Sequence, residues 1–485
     1  MIVSSVSQVR EAEQRTIFSG VPGYELMCRA GRGAADIIEE LFPDRKRTVI
    51  LCGSGNNGGD ALVVAALLKG KVIVYSTRRK EDFKGEAACA AKDLPANIPF
   101  IVKEEFSSEL FLPGDLIIDG LLGIGFSGEK LRDVVFSAVR AVNDSCCKVV
   151  SLDVPSGLNC DTGRVSDIAV KADVTITFGA VKKGLLCGEG PSLCGILRTV
   201  DIGLENIEGE ESAVTFEESL RFFPRYPADV HKNRRGELLV VAGSCDYSGA
   251  AALTSTAALR CGSGLVRLAT VGARKNIPWG VIVREYPDEN GFLPSDLWQK
   301  IADFSQKSSA LAAGPGWGKC SSLLLEGALQ FPGSLILDAD ALNLLAENPH
   351  LLKKRENVVV TPHPGEARRL AEAFGICETE RLPLAAALAQ KLQAVVLLKG
   401  KFTIVSSPEG KAVFILAGSP ALATAGSGDV LTGIIGSLLA AGIPPFEAAV
   451  CGAGLHGRAG EIAGFGSIAD DLPLALQKLL KEFGI

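Results

Sequence analysis

The chain has 485 residues, of which 47% are hydrophobic, and it carries a formal net charge of −6. At a prior of roughly 150 residues per domain, this length predicts two or three domains with sizeable cores. The acidic balance argues against nucleic acid or an anionic membrane as the main partner, and no apolar run reaches the roughly 18 residues of a membrane span.

The N-terminal segment and the cysteines indicate the compartment. Residues Met1–Gln14 lack the apolar core of a signal peptide, so we expect a cytoplasmic location. The thirteen cysteines include no C-x-x-C pair, and there are four histidines, which predicts no zinc site. We expect most cysteines to be buried small hydrophobes without disulfides.

The first half alternates short apolar strands with helical stretches. Ser5 and Gln8 have the spacing of a capping box that opens a helix, and a second helix is predicted over Tyr24–Leu41. The alternation predicts a parallel sheet covered on both faces. The predicted strands are Thr48–Cys52, Lys71–Ser76, Ile98–Val102, Asp115–Asp119, Lys148–Asp153, Asp173–Phe178 and Ile196–Asp201.

A glycine-rich segment, G-S-G-N-N-G-G-D at Gly53–Asp60, follows the first of these strands and precedes a helix predicted over Ala61–Lys69. The order of strand, glycine-rich turn and helix is typical of sites that bind phosphates or dinucleotides. The segment lacks the G-x-G-x-x-G spacing, so it does not support an ordinary Rossmann assignment by itself.

Three polar clusters lie at the ends of predicted strands, where open α/β sheets bind their ligands. They are Asn56–Asp60, Asp119 with the loop Gly123–Glu129, and D-V-P-S-G at Asp153–Gly157. Their amide, hydroxyl and carboxylate oxygens suit an alkali or alkaline-earth cation. Each cluster alone is also explained by turn chemistry, but three at successive strand ends favour a ligand site.

The segment Glu205–Arg235 changes from acidic to rich in Phe, Pro and Arg, which predicts a domain boundary near residue 210. Beyond it, a small-residue helix is predicted over Ala250–Cys261. Each strand of this half ends in a polar or glycine turn, as in a doubly wound sheet lined with a ligand site. The predicted strands are Glu237–Ala242, Ala310–Ala313, Ser334–Leu337, Val358–Val360 and Ala394–Leu398.

The segment G-S-G-D at Gly426–Asp429 opens an apolar helix that Gly442 and Pro444 end. The first N–H groups of a helix have no internal partner and carry the positive end of its dipole, so a phosphate can bind there. A carboxylate in the first turn, Asp429, can act on a hydroxyl beside that phosphate, and phosphoryl transfer needs this combination. The alternative is that Asp429 is a helix cap on a structural turn.

Two further residues are open to two interpretations. His363, between two prolines, is held on a rigid loop, and its position at a strand end favours a ligand role over a structural imidazole. Lys399 either aims its ammonium at a phosphate or is an exposed turn lysine, which is the more common situation for an isolated lysine.

Taken together, these motifs resemble the bifunctional NAD(P)H-hydrate repair enzymes across nearly the whole chain. The first half is similar to their epimerase domain, and the second half to their dehydratase domain. T-P-H-P-G-E joined to G-S-G-D is much more specific than G-S-G-D alone, which is typical of all ribokinase-like proteins. The matching motifs are N-N-G-G-D at Asn56–Asp60, D-G-L-L-G-I-G at Asp119–Gly125, D-V-P-S-G at Asp153–Gly157, G-P-G-W-G at Gly314–Gly318, D-A-D-A-L at Asp338–Leu342, T-P-H-P-G-E at Thr361–Glu366, K-G at Lys399 and G-S-G-D at Gly426–Asp429.

The resemblance implies an α/β protein of two domains. Residues 1–210 would form a Rossmann-like three-layer α/β/α epimerase domain, and residues 211–485 a ribokinase-like α/β/α dehydratase domain. Addition of water at C6 of the nicotinamide ring of NADH or NADPH gives two epimers, which the first domain would interconvert. The second domain would phosphorylate the hydroxyl of the S epimer with ADP or ATP, after which phosphate leaves and the ring double bond returns.

The resemblance also implies the roles of individual residues. Asp429 would activate the hydroxyl, and Asp153 is the best acid/base candidate of the first domain. The expected substrate contacts are Asn56, Asn57, Gly58, Gly59, Asp60, Gly123, Ile124, Gly125, Phe126, Ser127, Gly128, Glu129 and Asp153 in the first domain, and Ala250, Gly316, His363 and Asp429 in the second. Lys399, Gly400, Lys401, Phe402, Thr403, Ala425, Gly426, Ser427 and Gly428 would line the nucleotide.

The implied cofactors are potassium on Asn57, Asp119 and Ser156, and magnesium with ADP or ATP in the second domain. The partners would be small-molecule substrates, with neither nucleic acid nor membrane, and we expect a homo-oligomer because small-residue α/β domains often assemble. The family often has Gly after N-N-G-G-D, where this chain has Ala61, and a methyl group there is expected to narrow the substrate pocket.

Two other classes of function remain open at this point. A vitamin or sugar kinase with an inert first domain needs the same G-S-G-D, but it offers no reason for T-P-H-P-G-E or for three intact clusters in the first half. A non-catalytic scaffold or RNA-associated module predicts lost carboxylates and a basic face. Asp60, Asp119 and Asp153 are present, however, and the chain is acidic.

Overall fold

A computed structural model describes residues 1–127, 130–165, 167–209, 211–227, 229–272, 276–352 and 355–484. The chain divides into two compact units, Met1–Ser212 and Ala213–Ile485. Among the described helices, none contains a stretch apolar and long enough to cross a lipid bilayer.

The first unit is built on a parallel sheet with the strand order β4-β3-β2-β5-β6-β7-β9. A separate short strand, β1, pairs in parallel with β8 and antiparallel with Glu211 and Ser212 at the start of β10. The described strands are β1 (Ile2–Ser4), β2 (Arg47–Cys52), β3 (Val72–Ser76), β4 (Phe100–Val102), β5 (Asp115–Gly120), β6 (Lys148–Leu152), β7 (Val174–Phe178), β8 (Val181–Lys182), β9 (Ile196–Val200) and β10 (Glu211–Val214).

Helices cover both faces of this sheet, because successive side chains of a strand point to opposite faces. Ile50 of β2 packs into a core with α2, α3 and α4, whereas its neighbours Val49 and Leu51 pack into a second core with α5. The described helices are α1 (Val6–Phe18), α2 (Gly23–Leu41), α3 (Asn56–Leu67), α4 (Gly85–Asp93), α5 (Asp133–Asn143), α6 (Lys183–Leu186) and α7 (Gly190–Leu193), with 3₁₀ turns at Lys80–Asp82 and Ser108–Leu110.

The second unit has a mixed sheet with the order β13-β12-β11-β14-β15-β16-β17-β18-β19. Its strands are parallel from β13 to β17, and β18 and β19 continue the sheet antiparallel. They are β11 (Glu237–Val241), β12 (Leu265–Thr270), β13 (Val281–Glu285), β14 (Ala310–Ala313), β15 (Ser334–Leu337), β16 (Val358–Val360), β17 (Val395–Leu398), β18 (Thr403–Ser406) and β19 (Ala412–Ile415).

Both faces of this second sheet are also buried. Leu238 and Val240 of β11 face a core formed with α9, α16, α17 and α18, while Leu239 and Val241 are fully buried on the opposite face. The described helices are α8 (Phe216–Ser219), α9 (Ser248–Cys261), α10 (Leu297–Lys300), α11 (Ala302–Ser305), α12 (Ser322–Gln330), α13 (Asp340–Glu347), α14 (Pro364–Phe374), α15 (Arg381–Leu392), α16 (Ser427–Ala440), α17 (Pro445–Ala463) and α18 (Leu472–Glu482), with 3₁₀ turns at Leu220–Phe222, Lys232–Arg235, Pro349–Leu351, Pro420–Leu422 and Ala469–Asp471.

The predicted α/β class and parallel sheets are confirmed, and every predicted strand overlaps an observed one. The prediction was wrong at the glycine-rich segment, since α3 begins at Asn56 and not at Ala61. The reason is that N-N-G-G-D is itself the first helical turn, and its glycines admit close backbone contact. The sequence analysis also missed β1, β8, β10, β12, β13, β18 and β19. Of these, β13 is an edge strand with mostly exposed residues.

Candidate functional site

The first unit contains a cavity of about 620 Å³ at the carboxyl ends of β2, β5 and β6. Because the strands are parallel, the loops that follow them meet at this edge. Predicted substrate residues that line the cavity are Asn56, Asn57, Asp60, Gly123, Ile124, Gly125, Phe126, Ser127 and Asp153. Gly128 and Glu129 lie outside the described residues.

Three small residues of the N-N-G-G-D-A segment lie beneath the cavity and do not line it. A Cβ built on Gly58 would lie 1.9 Å from the carbonyl oxygen of Gly53, so only glycine fits. A Cβ built on Gly59 would meet the side chain of Met27. Ala61 is fully buried and points at Gly120 of β5. The expectation that its methyl group narrows the substrate pocket was therefore wrong, because that methyl belongs to the core.

Asp153 leaves the end of β6 in an unusual backbone conformation. Its φ is +63°, in the left-handed region that costs a non-glycine residue energy and that often occurs at functional sites. Oδ1 lies 2.5 Å from Nζ of Lys182. The other oxygen, Oδ2, lies beside Gly123, since a Cβ built on that glycine would be 3.5 Å from it. One carboxylate oxygen is thus held by a lysine and the other faces the cavity loop.

Lys182 was missed by the sequence analysis. It is the last residue of β8, its side chain is 1% exposed, and it lines the cavity. Nζ also donates to Oγ1 of Thr177 at 3.1 Å and to the carbonyl of Phe178 at 2.6 Å. The segment A-V-K-K-G contains no motif, and lysine is normally exposed, so no local signal pointed to this residue.

Two more carboxyl groups line the same cavity. Burial raises the pKa of Asp60 well above its usual value, and the neighbouring charges of Asp153 and Glu13 raise it further. Burial also raises the pKa of Glu13 on α1, and Asp153 adds to this effect. Glu13 lies far from the motifs in sequence and was not predicted. The cavity therefore combines a carboxylate paired with a lysine and two carboxyl groups whose pKa values are raised by burial.

The predicted cation ligands lie beside this cavity. Asp119 is fully buried, and its Oδ1 accepts from Oγ of Ser156 at 2.6 Å while Oδ2 accepts from the N–H of Ser156 at 2.9 Å. Nδ2 of Asn57 donates to the carbonyl of Leu122 at 2.7 Å. The same carbonyl accepts from Oγ of Ser156 at 3.3 Å. Oδ1 of Asn57 is buried and has no hydrogen-bond partner. All three predicted ligands are thus grouped around Leu122.

The second unit contains a larger cleft of about 1460 Å³. Its walls include the loop after β11, the G-P-G-W-G turn after β14 and the start of α16. A Cβ built on Gly316 would lie 2.8 Å from the Cβ of Ala250, so the G-P-G-W-G turn touches the start of α9. The predicted site residues that line the cleft are Ala250, Gly316, Ala425, Gly426 and Asp429.

Asp429 lies in the first turn of α16 and lines the cleft. The helix begins after Gly426, whose φ of +87° favours glycine, and no side chain caps it. Asp429 is therefore not the helix cap that the alternative interpretation required. Burial raises the pKa of Asp429 to about 7, with Asp338 raising it further and Lys399 lowering it. At neutral pH this carboxyl group is balanced between its two protonation states.

Lys399 lies beside the start of the same helix. Its Nζ is 2.6 Å from Oδ1 of Asp338, and it would lie 3.2 Å from a Cβ built on Gly428. Oγ1 of Thr432 donates to Oδ2 of Asp338 at 2.8 Å. Lys399 is consequently not an isolated exposed lysine, because an ion pair holds its ammonium against the G-S-G-D turn. The residue after Asp338, Ala339, has a φ of +50°, so its backbone is strained, as that of Asp153 is in the first unit.

The remaining predicted nucleotide residues have different environments. Gly400 and Lys401 are exposed, Phe402 is buried, and Thr403 begins β18. Ser427 is buried, and its Oγ lies 3.0 Å from Nε2 of His456 on α17. His456 was not predicted. Burial lowers its pKa to about 4, so it holds the G-S-G-D turn as a neutral ring.

His363 is the N-cap of α14 and is not among the residues that line the cleft. The ring Nδ1 of His363 accepts from the backbone N–H of Gly365 at 2.9 Å, and the backbone N–H of His363 donates to Oε2 of Glu366 at 2.8 Å. Burial lowers the pKa of the imidazole, and the charge of Lys399 lowers it further. The structure thus gives His363 a capping role, and its predicted contact with substrate stays a prediction.

Comparison with known proteins agrees with this division into two sites. The family model for the YjeF-related protein N-terminus matches residues 23–184, and the model for NAD(P)H-hydrate dehydratase matches residues 238–480. The bifunctional NAD(P)H-hydrate repair enzyme of Coxiella burnetii is 36% identical over 478 residues, 94% of this chain and 93% of that protein. The enzyme of the same name from Escherichia coli is 36% identical over 95% of this chain and 90% of that protein.

The chain belongs to the bifunctional NAD(P)H-hydrate repair enzymes. The fold of the dehydratase half of this repair enzyme is matched by a solved ribokinase-like superfamily protein from Enterococcus faecalis, with a TM-score of 0.50 at 24% identity. That structure covers 57% of this chain and 99% of its own length. The ribokinase-like fold predicted for the second half is confirmed.

Proposed function

We propose that the first unit interconverts the R and S hydrates of NADH and NADPH, and that the second unit dehydrates the S hydrate with ADP or ATP. The observation that carries the proposal is the separation of two sites, each with a motif carboxylate on its wall. Asp153 lies in the cavity of the first unit, and Asp429 lies in the cleft of the second. Each reaction removes a proton from the substrate hydroxyl. Asp153 would accept that proton in the first unit, and Asp429 would accept it in the second.

In the second unit, the phosphate chain of the nucleotide binds where the free N–H groups of Gly426, Ser427 and Gly428 open α16. Asp429 takes the proton of the substrate hydroxyl as its oxygen attacks the terminal phosphorus of ADP or ATP, and the rest of the nucleotide leaves with the P–O electron pair. The original C6–O bond, which now joins the ring to phosphate, then breaks with its electrons on the departing phosphate. Loss of a C5 proton restores the ring double bond.

In the first unit, inversion at C6 requires that a bond to this carbon break and re-form. Asp153 takes the hydroxyl proton, the oxygen forms a carbonyl, and the C6–N1 bond breaks with its electron pair on N1. The protonated carboxyl group of Asp60, whose pKa is raised by burial, gives a proton to N1. Rotation about the C5–C6 bond and reversal of these steps give the other epimer, and both carboxyl groups return to their starting states.

Potassium fits the group formed by Asn57, Asp119 and Ser156. The buried Oδ1 of Asn57 has no hydrogen-bond partner, and the carboxyl group of Asp119 has no ion-pair partner among the described residues. Burial raises the pKa of Asp119, and a bound cation would oppose that rise. These three side chains would hold the ion, which would neutralise the buried carboxylate and fix the Leu122 loop at the cavity.

Potassium should therefore stabilise the protein and support epimerisation. At a hundredfold excess over its dissociation constant, a bound ion adds about 2.7 kcal/mol of stability. The test is thermal unfolding and epimer exchange in potassium chloride and in lithium chloride at equal ionic strength. Potassium should raise both the Tm of the first unit and the exchange rate, and Asp119→Asn should remove the difference. Equal values in the two salts would contradict the proposed site.

Magnesium would arrive with the nucleotide in the second unit. Among the described residues, no three acidic, His or Cys side chains converge closely enough to hold a metal ion. This agrees with the way Mg²⁺ usually binds, through one or two carboxylates together with substrate phosphates. Asp338 and Asp340 would hold such an ion, which would neutralise charge on the phosphates.

The direct test of the whole proposal uses a mixture of R and S hydrated NADH with magnesium and ADP or ATP. Absorbance of the dihydronicotinamide ring should return for the complete mixture, because the R form is converted to S as S is consumed. Without nucleotide, the epimers should exchange but no dihydronicotinamide should form. A stable phosphorylated product, with no return of absorbance, would instead indicate a small-molecule kinase.

A further inference from the structure

The buried ammonium of Lys182 contacts the carboxylate that we assign to proton transfer in the first unit, at 2.5 Å. We propose that Lys182 is a positioning residue for epimerisation, which balances the charge of Asp153 and turns its free oxygen toward the substrate. This inference rests on the proposed function of the first unit. It adds a residue that belongs to none of the sequence motifs described above.

The contacts of Lys182 explain why it acts through Asp153 and not on the substrate. An ammonium group has three donors and no acceptor. Its three oxygen neighbours are Oδ1 of Asp153, Oγ1 of Thr177 and the carbonyl of Phe178. Within the described part of the chain, the ammonium donates two hydrogen bonds and forms one ion pair, so it is directed at protein oxygens. Two of these oxygens belong to β7, so the sheet fixes the ammonium and the ammonium fixes the carboxylate.

The position of Asp153 makes such a support necessary. Its left-handed backbone is a strained conformation that persists only where the surroundings enforce it. Lys182 holds Oδ1, which leaves Oδ2 toward Gly123 and the cavity. Removal of one member of a buried ion pair leaves the other charge uncompensated, so Asp153 without Lys182 would lose both its counter-charge and the contact that holds Oδ1.

Other charged groups near Asp153 strengthen this dependence. Burial raises the pKa values of Asp60 and Glu13, and the charge of Asp153 raises them further, whereas Lys182 lowers both. Of the three carboxyl groups, Asp153 is the one in contact with the ammonium. Lys182 from β8 pairs with Asp153, and the charge of Asp153 acts on Glu13 from α1, Asp60 from α3 and Cys160 from the loop after D-V-P-S-G. Arg10 from α1 acts on Glu13 and Cys160 and lowers their pKa values.

The experiment compares Lys182→Met, Lys182→Arg and Lys183→Met in the full-length protein. Lys183 is the adjacent lysine, which pairs with Glu211 and does not line the cavity, so its change is the matched control. Epimer exchange is measured from pH 5 to pH 9 by chromatography without nucleotide. Dehydration of pure S hydrate in the same samples reports whether the second unit is intact, and thermal unfolding followed by circular dichroism reports whether the first unit, which contains Lys182, is folded.

We expect Lys182→Met to lower exchange at pH 7 by about 10²-fold, as loss of general-base catalysis does, and to shift the acid limb of the kcat/KM profile to higher pH by at least about one unit. Lys182→Arg keeps the charge and should retain the acid limb of the wild type, within about tenfold of its rate. Lys183→Met should match the wild type. An unchanged profile for Lys182→Met would overturn the proposal, and so would equal losses for Met and Arg, since packing alone would then explain the residue.

The same measurements distinguish an error about Lys182 from an error about the reaction of the first unit. If the wild-type protein does not exchange epimers, or if Asp153→Asn exchanges them normally, the assignment of the first unit is wrong. If exchange depends on Asp153 but not on the charge at residue 182, only the role of Lys182 is wrong.

Discussion

Asp429→Asn should lower the dehydration rate of S hydrate by about 10²–10⁴-fold, the usual value of general-base catalysis. Asparagine has the size and much of the hydrogen bonding of aspartate, but it does not accept the hydroxyl proton. Asp429 is the carboxyl group in the first turn of α16 that lines the cleft. Its loss should therefore appear in kcat, measured with saturating nucleotide by the return of dihydronicotinamide absorbance.

The same variant should bind nucleotide with normal affinity, because the backbone N–H groups of Gly426, Ser427 and Gly428 are unchanged. Titration calorimetry with ADP and magnesium measures this directly. Epimer exchange should also be normal, since its site lies in the other unit. A suitable control is Asp303→Asn, which removes a surface ion pair with Arg284. Near-normal dehydration by folded Asp429→Asn would exclude Asp429 as the proton acceptor.

The pH dependence of the wild type follows from the same residue. Burial raises the pKa of Asp429 to about 7, and a proton acceptor works only when it is ionised. The value of kcat/KM for dehydration should therefore be highest above pH 7 and fall about tenfold per unit below it. Asp429→Asn has no group to titrate at this position, and its residual rate should lose that acid limb.

Asp153→Asn should produce the opposite pattern, with epimer exchange lowered by about 10²–10⁴-fold and dehydration of pure S hydrate unchanged. Asn is the suitable replacement because it tolerates the left-handed backbone observed at this position. Alanine would confuse the result, because it adds backbone strain to the loss of the carboxylate.

A mixture of epimers shows this defect most clearly. With nucleotide present, Asp153→Asn should convert the S fraction rapidly and then continue only at the slow spontaneous rate of epimerisation. The surface variant Asp144→Asn, which loses an ion pair with Arg140, should convert the whole mixture like the wild type. Loss of both reactions in a folded Asp153→Asn protein would mean that the two chemistries are not divided between the units.

The sequence by itself determined the fold class and most of the strands, because each strand is a short buried apolar run that ends in a polar or glycine turn. Two such turns, D-V-P-S-G and G-S-G-D, contain the carboxylates of the two proposed sites, and both line the predicted cavities. Local residue order contains this information, since a parallel sheet places all its strand-end loops at one edge.

Tertiary structure decided which of these residues line the two cavities. Gly58, Gly59 and Ala61 belong to the most recognisable motif of the first half, yet they pack into the core because α3 already begins at Asn56. His363 belongs to the most specific motif of the second half, yet its ring caps α14. A motif identifies a segment, but the helix start determines which of its side chains point outward.

Only the tertiary structure also brought Lys182 to Asp153 and His456 to Ser427. Each of these pairs joins residues that are distant in sequence, and neither Lys182 nor His456 lies in a motif. Periodicity in the chain reports which residues are buried, not which buried residues meet. The ion-pair partner of Asp153 is supplied by the fold, because Lys182 lies on a different strand and no local pattern marks it.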